Sequence, residues 1–157
     1  MNHPFFASRT TLALLLCAGV WLHCGTARAF SIGGHLGLNL NQGDIHLGVD
    51  LLFPVVELAP SCELALWPSI AHVFKPGHDV ELLGLDIPFM FKPTVPIVPF
   101  VGPGFGVAIY EKVSLKFNVV GGVIFNPEGR VKPFGEIALR FIDGEFVDAL
   151  FGVLVEI

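Results

Sequence analysis

Residues 30–41 read FSIGGHLGLNLN and alternate strictly between two kinds of side chain. Even-numbered positions hold Phe, Ile, Gly and three Leu residues, whereas odd-numbered positions hold Ser, two Gly, His and two Asn residues. Because successive side chains of a β-strand point to opposite faces, this stretch predicts a strand with one apolar face and one small or polar face. The same two-residue period continues to Ile157 and is the strongest structural signal in the chain.

Turn signals divide this alternating region into eight predicted strands. They cover residues 30–41, 45–55, 61–74, 80–92, 97–110, 113–125, 130–142 and 146–157. Proline donates no backbone hydrogen bond, so we expect a break or bulge in the third strand near Trp67-Pro68. For the same reason, Pro99 and Pro103 predict a bulge or weakened pairing in the fifth strand.

The region before the alternating pattern has the three parts of a secretory signal peptide. Arg9 supplies the positive charge, residues 11–22 form the apolar run, and Ala27-Arg28-Ala29 is an A-x-A cleavage site. Twelve helical residues extend about 18 Å, which is too short to cross a hydrocarbon core of about 30 Å. Cys24 opens a lipoprotein alternative, but His23 stands where a small residue would precede a lipidated cysteine. We therefore predict a cleaved signal at residues 1–29 and one exported domain at residues 30–157.

Charge and cysteine content exclude several classes of protein. The chain has 9 Lys and Arg residues against 14 Asp and Glu, and cleavage would remove Arg9 and Arg28, leaving a net charge of −7 with neutral histidine. This acidic balance argues against a nucleic-acid partner. Cys62 is the single cysteine after residue 29, so we expect no internal disulfide. The hydrophobic share is 53%, yet the mature region has no run of 18 apolar residues that would predict a spanning helix.

High apolar content in short alternating segments is typical of a barrel whose strands each present one face to lipid. The predicted fold is therefore all-β: an eight-stranded antiparallel up-and-down transmembrane β-barrel that follows a cleaved signal peptide. In a barrel of this size the side chains fill the interior, so no open pore is expected. A soluble lipocalin-like barrel with an apolar interior competes with this prediction, since alternation alone does not say which face is outside. The charged share of only 15% favours the lipid-facing alternative.

Two segments carry a resemblance to a known family. Val147, Ala149, Phe151, Val153, Val155 and Ile157 form one apolar face, which resembles the C-terminal signal of bacterial outer-membrane β-barrels, although that signal usually ends in Phe or Trp. Residues 98–107, VPFVGPGFGV, are similar to the P-[FY]-V-G-x-G-x-G strand of small porin-like barrels. The resemblance implies a location in the cell outer membrane, contact with its lipid, and insertion by machinery that recognises the last strand. It also implies a structural or interaction role in the Gram-negative envelope.

The face opposite the apolar one carries most of the charge. We predict that these side chains line the lumen as paired ions and hydrogen bonds, because an unpaired buried charge costs several kcal/mol. Lys116 and Lys132, for example, are expected to lie near Glu136. The predicted network, which Asn39 joins, consists of His35, His46, Asp50, Glu63, Asp86, Lys116, Asn118, Lys132, Glu136, Arg140, Asp148 and Glu156. A proton or ion path through these groups is the sharper alternative.

Metal binding and catalysis are weaker alternatives for the same chain. His35, His46 and Asp50 supply metal-ligand types, but their spacing matches no tight ligand motif, so we predict no metal and no cofactor. A hydrolase would need a nucleophile, a base and an orienting acid. The candidate nucleophiles are Ser61, Ser69 and Ser114, and the candidate bases are His72 and His78. Ser69 and His72 are three residues apart and are therefore predicted on opposite faces of their strand unless Pro68 distorts the backbone. We predict that the protein is not an enzyme, and a lipid-modifying barrel remains the catalytic alternative.

Overall fold

The computed structural model describes residues 29–75, 80–92, 96–110, 113–141 and 145–157. Residues 1–28, which include Ala27 of the predicted cleavage site, lie outside this part. The strands are β1 Ser31–Asn39, β2 Ile45–Ala59, β3 Cys62–Phe74, β4 Val80–Asp86, β5 Phe89–Phe91, β6 Ile97–Ile109, β7 Val113–Phe125, β8 Val131–Phe141 and β9 Glu145–Glu156. Within the described ranges there is no apolar helix with the length that a bilayer crossing requires.

The sheet closes on itself, and all paired strands are antiparallel. β1 pairs with β2 on one side and with β9 on the other, so the first and last strands meet. β2 also pairs with β3, and the circuit continues through β4, β6, β7 and β8 to β9. β4 and β5 both bridge β3 and β6 and together form one interrupted strand. The architecture is a closed eight-stranded barrel without an exposed sheet edge, which confirms the predicted fold class.

The barrel has two distinguishable ends. The terminal end holds Ser31 at the start of β1 and Glu156 at the end of β9, which are partners in the pairing of these two strands. The far end holds Asn39, the last residue of β1, and Ile45, the first residue of β2. Because the number of barrel strands is even, both ends of the barrel domain's chain lie at the same end of the barrel. Successive turns therefore lie alternately at the far end and at the terminal end.

The fourth predicted strand, residues 80–92, is interrupted at Ile87 and Pro88. The backbone N–H of Ile87 donates to the carbonyl of Pro103 at 2.9 Å, and the carbonyl of Pro88 accepts from the N–H of Ala65 at 3.0 Å. The interruption is therefore still tied to both neighbouring strands. Gly102 packs against it, and a Cβ at that position would lie 2.6 Å from the Cα of Pro88. A glycine is needed there because the kinked backbone presses inward against β6.

The predicted irregularity near Trp67-Pro68 is present on one side of β3 only. The pairing of β3 with β2 lapses between Ser69 and Leu66, whereas its pairing with β4 keeps an unbroken register from Trp67 to Val73. The register shifts of this hairpin lie on β2, between Pro54 and Val56 and between Glu57 and Ala59. Pro54 has no N–H to donate, and a bulge accommodates the missing ladder bond. The sequence therefore located the lapse in pairing at Pro68 but not the bulges on the opposite strand.

The prolines of β6 weaken its pairing on one side only. Against β7, β6 keeps a continuous register from Ile97 to Ile109. The carbonyl of Pro103 points toward the interruption between β4 and β5, and the amide and carbonyl of one residue in an antiparallel strand face the same neighbour. The missing donor of Pro103 therefore faces the broken strand, where regular pairing is already lost.

The outward face is a continuous apolar surface. Many of its large side chains are highly exposed, as shown by Leu115 at 67%, Phe117 at 63% and Phe151 at 71%. Among the outward positions whose side chains the structure describes, only His72 and Glu81 are charged or strongly polar. A soluble cup would need a polar exterior, so this distribution is the reverse of what the lipocalin-like alternative requires.

The interior contains two apolar clusters as well as polar groups. The larger cluster fills the terminal half of the lumen and consists of Leu52, Ala65, Trp67, Met90, Val98, Phe100, Val120, Ile124, Phe134, Ala138, Leu150 and Leu154. The smaller cluster lines one side of the far half and consists of Ala71, Val73, Val80, Leu82 and Ala108. The predicted lumen of polar side chains therefore accounts for only part of the interior.

Candidate functional site

The interior side chains divide the lumen into separate cavities. The far-end cavity measures about 300 Å³ and the terminal cavity about 740 Å³, while a central cavity of about 40 Å³ lies deeper in the barrel. Trp67 packs against Phe100 and Phe134 with ring centroids 5.2 and 5.0 Å apart. These buried rings occupy the middle of the lumen, so the two end cavities do not join into a channel through the described part of the barrel.

Asp50 is the buried centre of one hydrogen-bonded group. Its carboxylate accepts from His35 Nδ1 at 2.7 Å and from Trp67 Nε1 at 3.2 Å. Gly48 lies directly across from His35 on the neighbouring strand, and the imidazole ring occupies the space that a Cβ would fill. The sequence predicts His35 and Asp50 as members of the network but not Trp67. Trp67 has the same strand parity as Glu63 on β3, and this parity indicates an inward position.

A second group joins Asp86 and Asn118 beside the central cavity. The Asn118 amide donates to Asp86 Oδ1 at 2.6 Å. Lys116 and Glu136 also line this small cavity, yet neither forms an ion pair or hydrogen bond within the described residues. The expected pairing of Lys132 with Glu136 is wrong, because Lys132 lies at the terminal end and pairs elsewhere. A cavity of this size holds water, which can hydrate the buried carboxyl of Glu136.

A third group bridges the first and last strands at the far end. Arg140 Nε donates to Asp148 Oδ2 at 2.8 Å, and Asn39 Nδ2 donates to Asp148 Oδ1 at 2.8 Å. Asn39 and Asp148 are also register partners in the pairing of β1 with β9. These side-chain bonds therefore stabilise the pairing of the first strand with the last, which closes the barrel.

Ion pairs surround the terminal cavity. Lys132 pairs with Glu156, and Lys92 pairs with Glu63. Three of these four residues belong to the network predicted from the sequence, and Lys92, which follows β5, does not. Lys92 has the same parity as the inward residue Met90, so the alternation in the sequence indicates its inward position.

His46 differs from the other predicted network residues because it is buried without a partner. It is 1% exposed, and neither ring nitrogen has a hydrogen-bond partner in the described structure. The ring lies edge-on to that of His35 at a centroid distance of 5.6 Å, and a Cβ at the facing Gly37 would lie 2.7 Å from its Nδ1. Within the described ranges, no three His, Cys, Asp or Glu side chains are grouped so as to hold a metal ion.

The candidate hydrolase residues lie on opposite faces of β3. The Ser69 hydroxyl points inward, because a Cβ at the inward Gly84 would lie 2.7 Å from its Oγ. His72 points outward, and its Nδ1 is 2.6 Å from Glu81 Oε1. The structure therefore separates the serine from the imidazole, as the parity argument predicted. His78, a further candidate base, lies outside the described residues.

The closed sheet and its outward apolar surface define the class: an eight-stranded antiparallel barrel of the transmembrane type. In structure the chain is similar to a de novo designed transmembrane β-barrel, with a TM-score of 0.65, 11% identity, and coverage of 84% of this chain and 98% of that one. It is also similar to the N-terminal β-barrel domain of Pseudomonas aeruginosa OprF, with a TM-score of 0.59, 15% identity, and coverage of 82% and 97%.

Two further similar structures come from proteins with different roles. The Yersinia pestis outer membrane protein Ail, in a phospholipid nanodisc, has a TM-score of 0.59 at 9% identity and covers 83% of this chain and 100% of its own. The outer membrane enzyme PagL has a TM-score of 0.56 at 11% identity and covers 81% and 98%. No family model and no curated protein matches the sequence. Identities this low establish the fold alone.

Proposed function

We propose that this protein is an integral barrel of a bacterial outer membrane with a structural or interaction role in the envelope. The observation that carries the proposal is the combination of an apolar exterior with a lumen blocked by packed rings. The exterior suits lipid, since the backbone groups are satisfied between strands and the outward side chains replace lipid–lipid contacts. The blocked lumen argues against passage of solutes, and the similar structures named above include several outer-membrane barrels.

The last strand supplies the proposed contact with the insertion machinery. β9 alternates outward Phe151 and Val153 with inward Leu150 and Leu154. In the resembling family, this kind of C-terminal strand is the segment that the outer-membrane machinery recognises. The proposed partners are therefore this machinery during assembly and outer-membrane lipid afterwards.

The test is expression of the full chain in a Gram-negative host, followed by membrane fractionation and by electrophoresis of boiled and unboiled samples. We expect the protein in the outer-membrane fraction, with a folded form that migrates differently until boiled. Val119→Lys places a cation on the outward face at the middle of β7, and at the bilayer midplane this costs about 2–4 kcal/mol. The folded form should be largely lost in that variant.

Val113→Lys is the matched control, because Val113 lies on the same outward face at the first position of β7, where a lysine near the membrane interface costs only about 0–1 kcal/mol. It should retain the heat-modifiable form. Recovery of the wild-type protein in the soluble periplasm, or equal behaviour of the two lysine variants, would refute the proposal and favour the soluble ligand-binding barrel.

A lipid-modifying enzyme is the second candidate, and the outward His72–Glu81 pair favours it. A carboxylate that orients an imidazole is the arrangement of a general base, and this pair faces the proposed lipid. No described outward residue adds a serine to the pair, so we rank this function below the structural one. Release of fatty acid from vesicles of lipopolysaccharide and phospholipid, abolished by His72→Gln, would support it over the non-catalytic role.

A further inference from the structure

The far-end cavity has two chemically different walls. Strands β3, β4 and β6 contribute an apolar wall of Val73, Val80, Leu82 and Ala108. The remaining strands contribute a polar wall, on which His46, Lys116, Arg140 and Asp148 lie. A pocket with one apolar side and a few converging polar groups is the usual form of a small-molecule site. Its volume of about 300 Å³ is at the lower end of the range for such sites.

The unmet charge in this cavity is positive. The two acidic groups among its described lining residues are engaged, since Asp148 accepts from Arg140 and Asn39, and Asp44 lies 3.1 Å from Lys75. Lys116 forms no ion pair or hydrogen bond with any described residue; Asp148 attracts it from a distance, and Arg140 and Lys75 repel it. An anion between Lys116 and Arg140 would relieve the repulsion and supply the missing partner.

His46 adds a second, independent indication that a ligand belongs here. The imidazole lines the cavity, is almost fully buried, and has two ring nitrogens without a partner. A buried polar group without a hydrogen bond is destabilising, so such groups in native structures usually have a partner. Neither ring nitrogen is exposed to the cavity, so a ligand oxygen provides this partner once the imidazole turns from Gly37 toward the cavity.

We propose that the far-end cavity binds a small amphipathic monocarboxylate. Its carboxylate lies between Lys116 and Arg140 beside His46, and its apolar part lies against the wall of Val73 and Leu82. A single negative charge matches the one unpaired cation among the described lining residues, and the apolar wall disfavours a fully hydrated anion such as free phosphate. Nothing in this assignment depends on catalysis or on the proposed role in the envelope.

Benzoate is a suitable probe, because it joins one carboxylate to one apolar ring. The folded full-length barrel in neutral detergent is titrated with sodium benzoate while NMR follows the methyl groups of Val73, Leu82 and Ala108. We expect saturable shifts at these methyls with a Kd on the order of 1 mM or lower. Benzyl alcohol, the uncharged analogue, should bind at least about tenfold more weakly. Its titration also corrects the methyl shifts for partition of an aromatic ring into the detergent.

Lys116→Met removes the charge and keeps the length of the side chain. It should weaken benzoate binding by about 10- to 100-fold, the range for a hydrogen bond to a charged group. The control is Lys132→Met, because Lys132 lies at the terminal end and pairs with Glu156. It should leave the benzoate affinity within about twofold. Heat modifiability verifies folding, and Lys116→Gln replaces the Met variant if that variant does not fold.

Four results would overturn the proposal. The first is the absence of saturation at about ten times the expected Kd. The second is equal affinity for benzoate and benzyl alcohol, and the third is equal affinity of the wild type and the Lys116 variant for benzoate. The fourth is a response confined to methyls of the terminal half, such as those of Val98 and Ile124. The membrane test of the proposed function is separate, so failure of one leaves the other standing.

Discussion

The two halves of the lumen are filled by different kinds of side chain. In the terminal half, Trp67, Phe100 and Phe134 pack ring against ring within the larger apolar cluster. In the far half, a buried carboxylate meets specific donors, as in the bonds of Asp148 to Arg140 and Asn39. Apolar packing stabilises without regard to direction, whereas each buried polar group stabilises only if its partner is placed correctly. We infer that the terminal half supplies most of the interior stability and that the far half retains the capacity to bind.

The largest expected effect is in the apolar half. Phe134→Ala deletes a ring that is 3% exposed, and the cavity left behind should lower the free energy of unfolding by about 3–5 kcal/mol. Phe151→Ala is the control, because this outward ring is 71% exposed and lipid can fill its place. We expect that variant to lose about 2 kcal/mol or less. Urea unfolding in lipid vesicles measures both, and equal losses would contradict the assignment of stability to the terminal half.

An intermediate effect is expected for Asp50, the buried carboxylate in the middle of the lumen. Asp50→Ala leaves His35 Nδ1 and Trp67 Nε1 without their acceptor, so the free energy of unfolding should fall by about 1.5–3 kcal/mol. Glu81→Ala removes the same kind of carboxylate–imidazole bond from the exposed, outward pair of His72 and Glu81. It should change the free energy of unfolding by less than about 1 kcal/mol. The same unfolding assay compares them. A larger loss in the Glu81 variant would mean that burial does not set the strength of these pairs.

The smallest effect should have the opposite sign. His46→Phe replaces an imidazole without partners by an apolar ring of similar shape, so the ligand-free barrel should gain about 1 kcal/mol. His35→Phe, its matched control, breaks the bond to Asp50 and should be destabilising. Unfolding midpoints in urea distinguish the two histidines. Destabilisation by both substitutions to the same extent would show that His46 has a stabilising partner in the ligand-free protein.

The sequence predicted the wall of the barrel better than its interior contacts. Alternation identified which residues of a strand share a face, because that depends only on the local geometry of the backbone. It did not reveal the interruption at Ile87-Pro88, and although it located a lapse in pairing at Pro68, it did not indicate the register shift after Pro54. Whether a proline disturbs a strand depends on which neighbour its missing N–H faces, and this is a property of the assembled sheet.

The partners of the predicted lumen residues could not be read from the chain either. Asn39 and Asp148 meet because β1 pairs with β9 in one particular register, and Lys132 reaches Glu156 for the same kind of reason. Register between strands far apart in sequence is set by the stagger of the closed barrel. The parity of Lys92 and Trp67 was visible in the sequence, but their partners Glu63 and Asp50 were not.

The sequence by itself determined where most strands lie and that each strand has two unlike faces. Only the tertiary structure decided that the apolar face points outward, that packed rings separate two cavities, and that Lys116 and His46 share one of them without partners. The physical reason is that alternation with a two-residue period depends only on the local geometry of the strand backbone. The contents of a lumen depend instead on how strands distant along the chain are staggered when the barrel closes.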